Sequence, residues 1–162
     1  MRKTAVLPAL ILAVAAPALA QVQLASADQA AAFRAAEYKR VGTQWRACDD
    51  PGTDSYSPGQ IDEVRDLNGD GRPEALISES STFCYGNTGV GYAVVSKQTN
   101  GGWKLVTSGI GIVTVLTSKG VGGWPDLEIG GPGFCYPVER WNGTEYKLLR
   151  HQYEGKACRP AS

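Results

Sequence analysis

The chain has 162 residues, with 16 basic and 16 acidic side chains. That length holds one domain with a single core, and no basic run marks a general nucleic-acid or anionic-membrane binder. Twenty glycines, nine prolines and short scattered runs of Val, Ile, Thr, Trp and Tyr point to a mainly β fold with many turns.

Residues 1–20 read as a signal peptide. Arg2 and Lys3 open it, Ala5 to Ala16 is apolar, Pro17 breaks the run, and Ala18-Leu19-Ala20 is a small-x-small cleavage site. The run is too short to span a bilayer. With no cysteine near the cleavage site and no twin arginine, the general secretion route is expected. The mature chain would start at Gln21 with no membrane span and reside in the periplasm or be secreted. Without Arg2 and Lys3 it carries 14 basic residues against 16 acidic, a net charge near −2.

Over residues 21–45 a helix and a linker are expected. Ser26-Ala27-Asp28-Gln29 fits a capping box. The helix should run to about Arg40 and stop by Gly42, with Ala30, Phe33 and Ala36 turned toward a sheet. Residues 46–162 read as a disulfide-stapled β domain. Cys48, Cys84, Cys135 and Cys158 are an even set in an exported chain, which implies two disulfides. Three pairings are open. Cys48–Cys84 with Cys135–Cys158 is preferred because it closes the shorter loops. Asp49-Asp50-Pro51-Gly52 and Ser57-Pro58-Gly59 are turn signals.

A strand over Ile61 to Arg65 leads into Asp66-Leu67-Asn68-Gly69-Asp70-Gly71-Arg72-Pro73-Glu74, and a second strand leaves from Glu74 to Ser78. Asp66, Asn68, Asp70 and Glu74 place oxygens at the first, third, fifth and ninth positions, with glycine at the sixth. Calcium takes six to eight oxygen ligands, and a tight loop around it needs a residue free to adopt positive φ. Arg72 would add its carbonyl, leaving its side chain in solvent. Helix-loop-helix calcium chemistry does not fit, since the twelfth position is Ile77 and the flanks are strands. The loop resembles the strand-flanked calcium loops of FG-GAP and VCBS repeats, which build blades of integrin-type β-propellers. That resemblance implies calcium as the ion and Asp66, Asn68, Asp70, Arg72 and Glu74 as its ligands. The layout is also similar to small exported bacterial proteins of uncharacterised function.

The remainder reads as two degenerate copies of a blade-like β-hairpin unit. Pro73-Glu74-Ala75-Leu76-Ile77, Phe83-Cys84-Tyr85, a strand over Tyr92 to Lys97 and the turn Asn100-Gly101-Gly102 form the first. Pro125-Asp126-Leu127-Glu128-Ile129, Phe134-Cys135-Tyr136, Val138 to Trp141 and the turn Asn142-Gly143 form the second. In that alignment Glu74 matches Asp126, and the loop 118–126 has lost its other ligands. A complete propeller needs at least four blades, and this chain offers two. The fold expected is therefore mainly β, or α+β with one N-terminal helix.

No nucleophile stands beside a base. His151 is the single histidine, and oxidised cysteines are not nucleophiles. The residues weigh against an enzyme without settling it. The expected function is an exported calcium-binding β protein with a structural ion. It would be a binding module of the bacterial cell envelope, with an envelope protein or glycan as partner. Tyr85, Trp124 and Tyr136 are the candidate contact residues. The alternatives are an inhibitor of an extracellular hydrolase, or a glycan hydrolase working through paired carboxylates such as Glu74 with Glu79 or Asp126 with Glu128.

Overall fold

The computed structural model describes residues 23–160; the expected leader over residues 1–20 lies outside the described residues. Helix α1 spans Ser26–Ala35. It does not use the expected capping box. Ala25 is the capping residue without a side-chain bond, and Gln29 Nε2 reaches back to the Leu24 carbonyl at 2.8 Å. The helix also ends earlier than Gly42. Glu37 takes φ 67°, its N–H donates to Arg34 O at 3.0 Å, and Tyr38 N–H donates to Phe33 O at 2.9 Å. That pair of bonds closes a helix C-terminus, and the usual apolar contact comes with it: the Phe33 and Tyr38 rings lie 5.6 Å apart. The freed residues form a hairpin of β1 (Lys39–Val41) and β2 (Gln44–Arg46).

Two antiparallel meanders follow. The first holds β3 (Ser57–Arg65), β4 (Glu74–Ser80), β5 (Val90–Lys97) and β6 (Trp103–Ile110), with the short helix α2 (Thr82–Tyr85) between β4 and β5. The second holds β7 (Ile112–Lys119), β8 (Pro125–Gly130), β9 (Tyr136–Trp141), β10 (Tyr146–Tyr153) and β11 (Lys156–Ala157). In each sheet every strand pairs with its neighbour in sequence. Only Gly111 separates β6 from β7. A Cβ there would stand 2.2 Å from an Ile129 methyl carbon, so the crossing between sheets needs glycine.

The period of two along a strand distributes the core. Ala75, Ile77, Ala93 and Val95 face α1, where Ala32, Phe33, Ala36 and Tyr38 cover them and Trp45 stacks on Phe33 at 5.1 Å. Leu76, Tyr92 and Val94 point the other way, into a second core shared with Leu127, Ile129 and Tyr146. The layers are helix, first sheet, second sheet. Disulfides join Cys48 to Cys84 and Cys135 to Cys158. The first ties the segment after β2 to α2, and the second ties the start of β9 to the chain end. No helix among the described residues is long and apolar enough to cross a membrane.

Candidate metal centre

Loop 66–74 joins β3 to β4, and its own side chains fold its backbone. Asp66 Oδ1 accepts the N–H of Gly69 at 2.7 Å and of Asp70 at 3.2 Å, while Oδ2 accepts that of Gly71 at 2.8 Å. Asn68 Oδ1 accepts from Asp70 N at 2.9 Å, and Asp70 Oδ1 accepts from Arg72 N at 2.9 Å. These are Asx turns, the local chemistry that Asp and Asn bring to loops. Gly71, at the sixth position, has φ 82°, the backbone conformation that the sequence pattern requires there.

Burial pushes the Asp66 carboxyl upward, but the backbone N–H groups of Gly71, Gly69 and Asp70 outweigh it and hold the group below the usual range. Arg72 departs from expectation. Its guanidinium is half-exposed but not free: Nη2 donates to Asp70 Oδ2 and Nε donates to the Lys97 carbonyl at 3.0 Å.

Glu74 lies beneath the loop, 1 % exposed. Its Oε2 accepts the Leu67 N–H and its Oε1 the Ser96 hydroxyl, both at 2.7 Å. None of the ion pairs among the described residues includes Glu74. Burial raises its carboxyl, the bonds from Ser96 and Leu67 work against that rise, and the charges of Asp70 and Asp66 add to it.

The donor chemistry suits a hard, oxygen-seeking cation. A carboxylate offers about four acceptor sites; Asp66 uses three of its own here and Glu74 two. The geometry is a closed one, however. Among the described residues no three His, Cys, Asp or Glu side chains converge on a point. An ion at Asp70 has to displace the Arg72 guanidinium. The fit is in donor type and loop course, with one side chain to be moved.

The matching loop of the second sheet handles its buried carboxylate differently. Asp126, 0 % exposed, accepts Arg140 Nε and Nη2, each at 2.8 Å, and the Ser118 hydroxyl at 2.6 Å. Arg150 Nη1 stands 3.6 Å away. The Arg140 guanidinium holds Asp126 below the usual carboxylate range against the opposing effect of burial. The two loops also touch. A Cβ at Gly123 would stand 2.4 Å from the Asn68 carbonyl oxygen, and Leu67 enters the core between the sheets.

Tyr85 and Tyr136 lie at the opposite end from loop 66–74. There Gly111 N donates to Val90 O at 2.9 Å, and Gly131 sits against the Thr88 side chain. Trp124 does not join them. It packs beside loop 66–74 with Trp141 and Tyr146, ring centroids 5.5 and 6.4 Å away. The three candidate contact residues therefore do not form one surface.

The carboxylate pairs do not form a hydrolase site either. Glu79 lies five steps along a regular strand from Glu74, roughly 17 Å, against the roughly 5–10 Å that glycoside hydrolysis uses. Asp126 is sealed from solvent. No known family, curated protein or solved structure matches the chain.

The sequence names Glu79 and Asp50 but does not show that both carboxylates are buried. Glu79, 1 % exposed, accepts the Ala47 N–H and the hydroxyls of Tyr56 and Tyr85. Asp50, 4 % exposed, accepts the N–H groups of Gly52 and Thr53 at 2.7 Å and the Ser81 hydroxyl at 2.6 Å. Asp-Asp-Pro-Gly signals the turn at Asp50, but no local pattern signals Ser81, 31 residues on.

Proposed function

We propose that the chain is an exported calcium-binding β protein of the bacterial cell envelope. The ion is structural, held by Asp66, Asn68, Asp70, the Arg72 carbonyl and Glu74. The folded body is a binding module for an envelope protein or glycan. The observation that carries the ion is Glu74, a buried carboxylate that no ion pair among the described residues includes, beneath the carboxylates of Asp66 and Asp70. At the matching place Arg140 supplies the positive charge to Asp126. Calcium would supply it to Glu74. The shared strand order of the two sheets and the Phe-Cys-Tyr segment in each support descent from a duplicated unit. The signal-like start and the two disulfides support export to an oxidising, calcium-rich compartment.

The test is thermal melting with calcium and with chelator, on wild type and Asp70→Ala. Calcium at 100 times its dissociation constant stabilises by about 2.7 kcal/mol. For a domain of this size that raises the melting temperature by roughly 5–10 °C. The variant should show no rise. Coincident wild-type curves defeat the ion reading. The module reading predicts calcium-dependent capture of one partner from envelope extract by wild type and none by Asp70→Ala; capture that ignores calcium severs the two halves of the proposal.

A further inference from the structure

A cleft of about 630 Å³ opens in the second sheet, between the turn after β7 and the hairpin of β9 and β10; that volume is the size of a ligand pocket. Lys119, Arg140 and Lys147 line it and no acid does, in a mature chain with a net charge near −2. Lys147 and Arg140 are direct cross-strand partners, a position where like charges repel. Arg140 spends two N–H donors on Asp126, and its side chain is still 39 % exposed. Lys147 meets Glu145 at 3.1 Å, but both side chains are mostly in water, so that pair holds little. None of the ion pairs among the described residues includes Lys119. Val121, Leu148 and Leu149 line the same cleft and are exposed. Apolar side chains grouped in water and rimmed by polar ones mark a contact surface.

We propose that this cleft takes an extended acidic segment of a partner protein, its carboxylates on the three cations and its apolar side chains against Val121, Leu148 and Leu149. The proposal rests on the envelope-module reading for where that partner is found, and on the cleft for its chemistry. Charge selects an anion. Spacing selects a chain molecule: Lys147 and Lys119 stand on β10 and β7, three places apart in the sheet, roughly 14 Å. One carboxylate cannot bridge that distance, and about four extended residues do. Alternate side chains of an extended segment point to opposite sides, so acids can face the cations while apolar residues face the apolar lining. That lining favours a polypeptide over an anionic glycan, which has no aliphatic side chains to bury. The concave shape favours it over a flat bilayer surface.

The probe is a short peptide alternating aspartate and leucine, titrated into the isotope-labelled mature chain while amide shifts are followed by NMR. Shifts should move at residues 119–121, 140–142 and 147–149, and binding should weaken as salt rises, because exposed charges are screened. Lys147→Glu, at an exposed position outside both cores, exchanges an attraction for a repulsion and should weaken binding about tenfold. If it does not fold, Lys119→Glu takes its place with the same expectation. A peptide alternating lysine and leucine should leave these amides unmoved. Amides that stay still, a lysine peptide that binds as well, or a charge-reversed variant that binds as tightly as wild type overturns the proposal. So do polygalacturonate or phosphatidylglycerol vesicles that move these amides when the acidic peptide does not. The module reading fails separately. Wild type that captures no envelope protein, with the acidic peptide still seated in the cleft, defeats the module and leaves the cleft. Capture that Lys147→Glu retains in full defeats the cleft and leaves the module.

Discussion

Replacing Leu67 with alanine tests whether loop 66–74 is pinned between the sheets. Leu67 is 9 % exposed and packs among Tyr92 and Val94 of the first sheet and Leu127, Ile129 and Tyr146 of the second. The substitution removes three carbons, which at about 0.8 kcal/mol per buried carbon is roughly 2.4 kcal/mol of transfer free energy. A cavity adds to that loss, because strands held in two sheets cannot collapse onto it. The addition is small, since Leu67 sits on a loop at the rim of the core. The expected loss is about 3 kcal/mol, within the range of buried leucine truncations. Urea denaturation reads it as a lower midpoint at an unchanged slope. On the proposed calcium reading, the variant should also bind the ion more weakly, because the loop loses its anchor. A loss under about 0.5 kcal/mol, the size of an ordinary surface substitution, refutes the pin.

Arg140→Ala leaves Asp126 fully buried with Arg150 as its remaining cation, 3.6 Å away; the expected cost is about 3 kcal/mol, the lower end for breaking a buried pair, and urea midpoints that match wild type would remove the pair from the account. Asp50 gives a pH signature. Burial pushes its carboxyl up, but the Ser81 hydroxyl, the N–H groups of Thr53 and Gly52 and the Thr53 hydroxyl prevail and bring it down to about 2. A depressed carboxyl contributes stability that is complete above the unfolded value of about 4 and drains away as pH falls toward 2. Asp50→Asn should be less stable at neutral pH and lose stability less steeply across that window; melting curves with parallel acid limbs would contradict the assignment.

The strands that were legible in the sequence are those flanked by turn chemistry. Asn142-Gly143 and Asn100-Gly101-Gly102 punctuate hairpins that the structure contains, between β9 and β10 and between β5 and β6. By sequence alone, Gly42 is the stop of α1. Burial of Tyr38 against Phe33 closes the helix at Glu37 instead, in a left-handed conformation that glutamate rarely adopts. Trp124, a candidate contact residue by sequence, is half-buried, and a tryptophan beside glycines has no periodicity to place it. Its neighbours Trp141 and Tyr146 come from strands that only the folded sheet brings near.

Loop 66–74 shows where the division falls. Its Asx turns and the left-handed Gly71 follow from the identities of nine consecutive residues, because each bond spans five residues or fewer and needs no other part of the chain. The sequence likewise determined the cysteine parity and the mainly β class, which depend on counts and short-range alternation. The tertiary structure alone decided that Leu67 lies between the sheets, that Ser96 lies over Glu74, and that Arg140 reaches Asp126 from 14 residues away. A buried carboxylate must find its donors wherever packing puts them, and packing is a property of the whole chain.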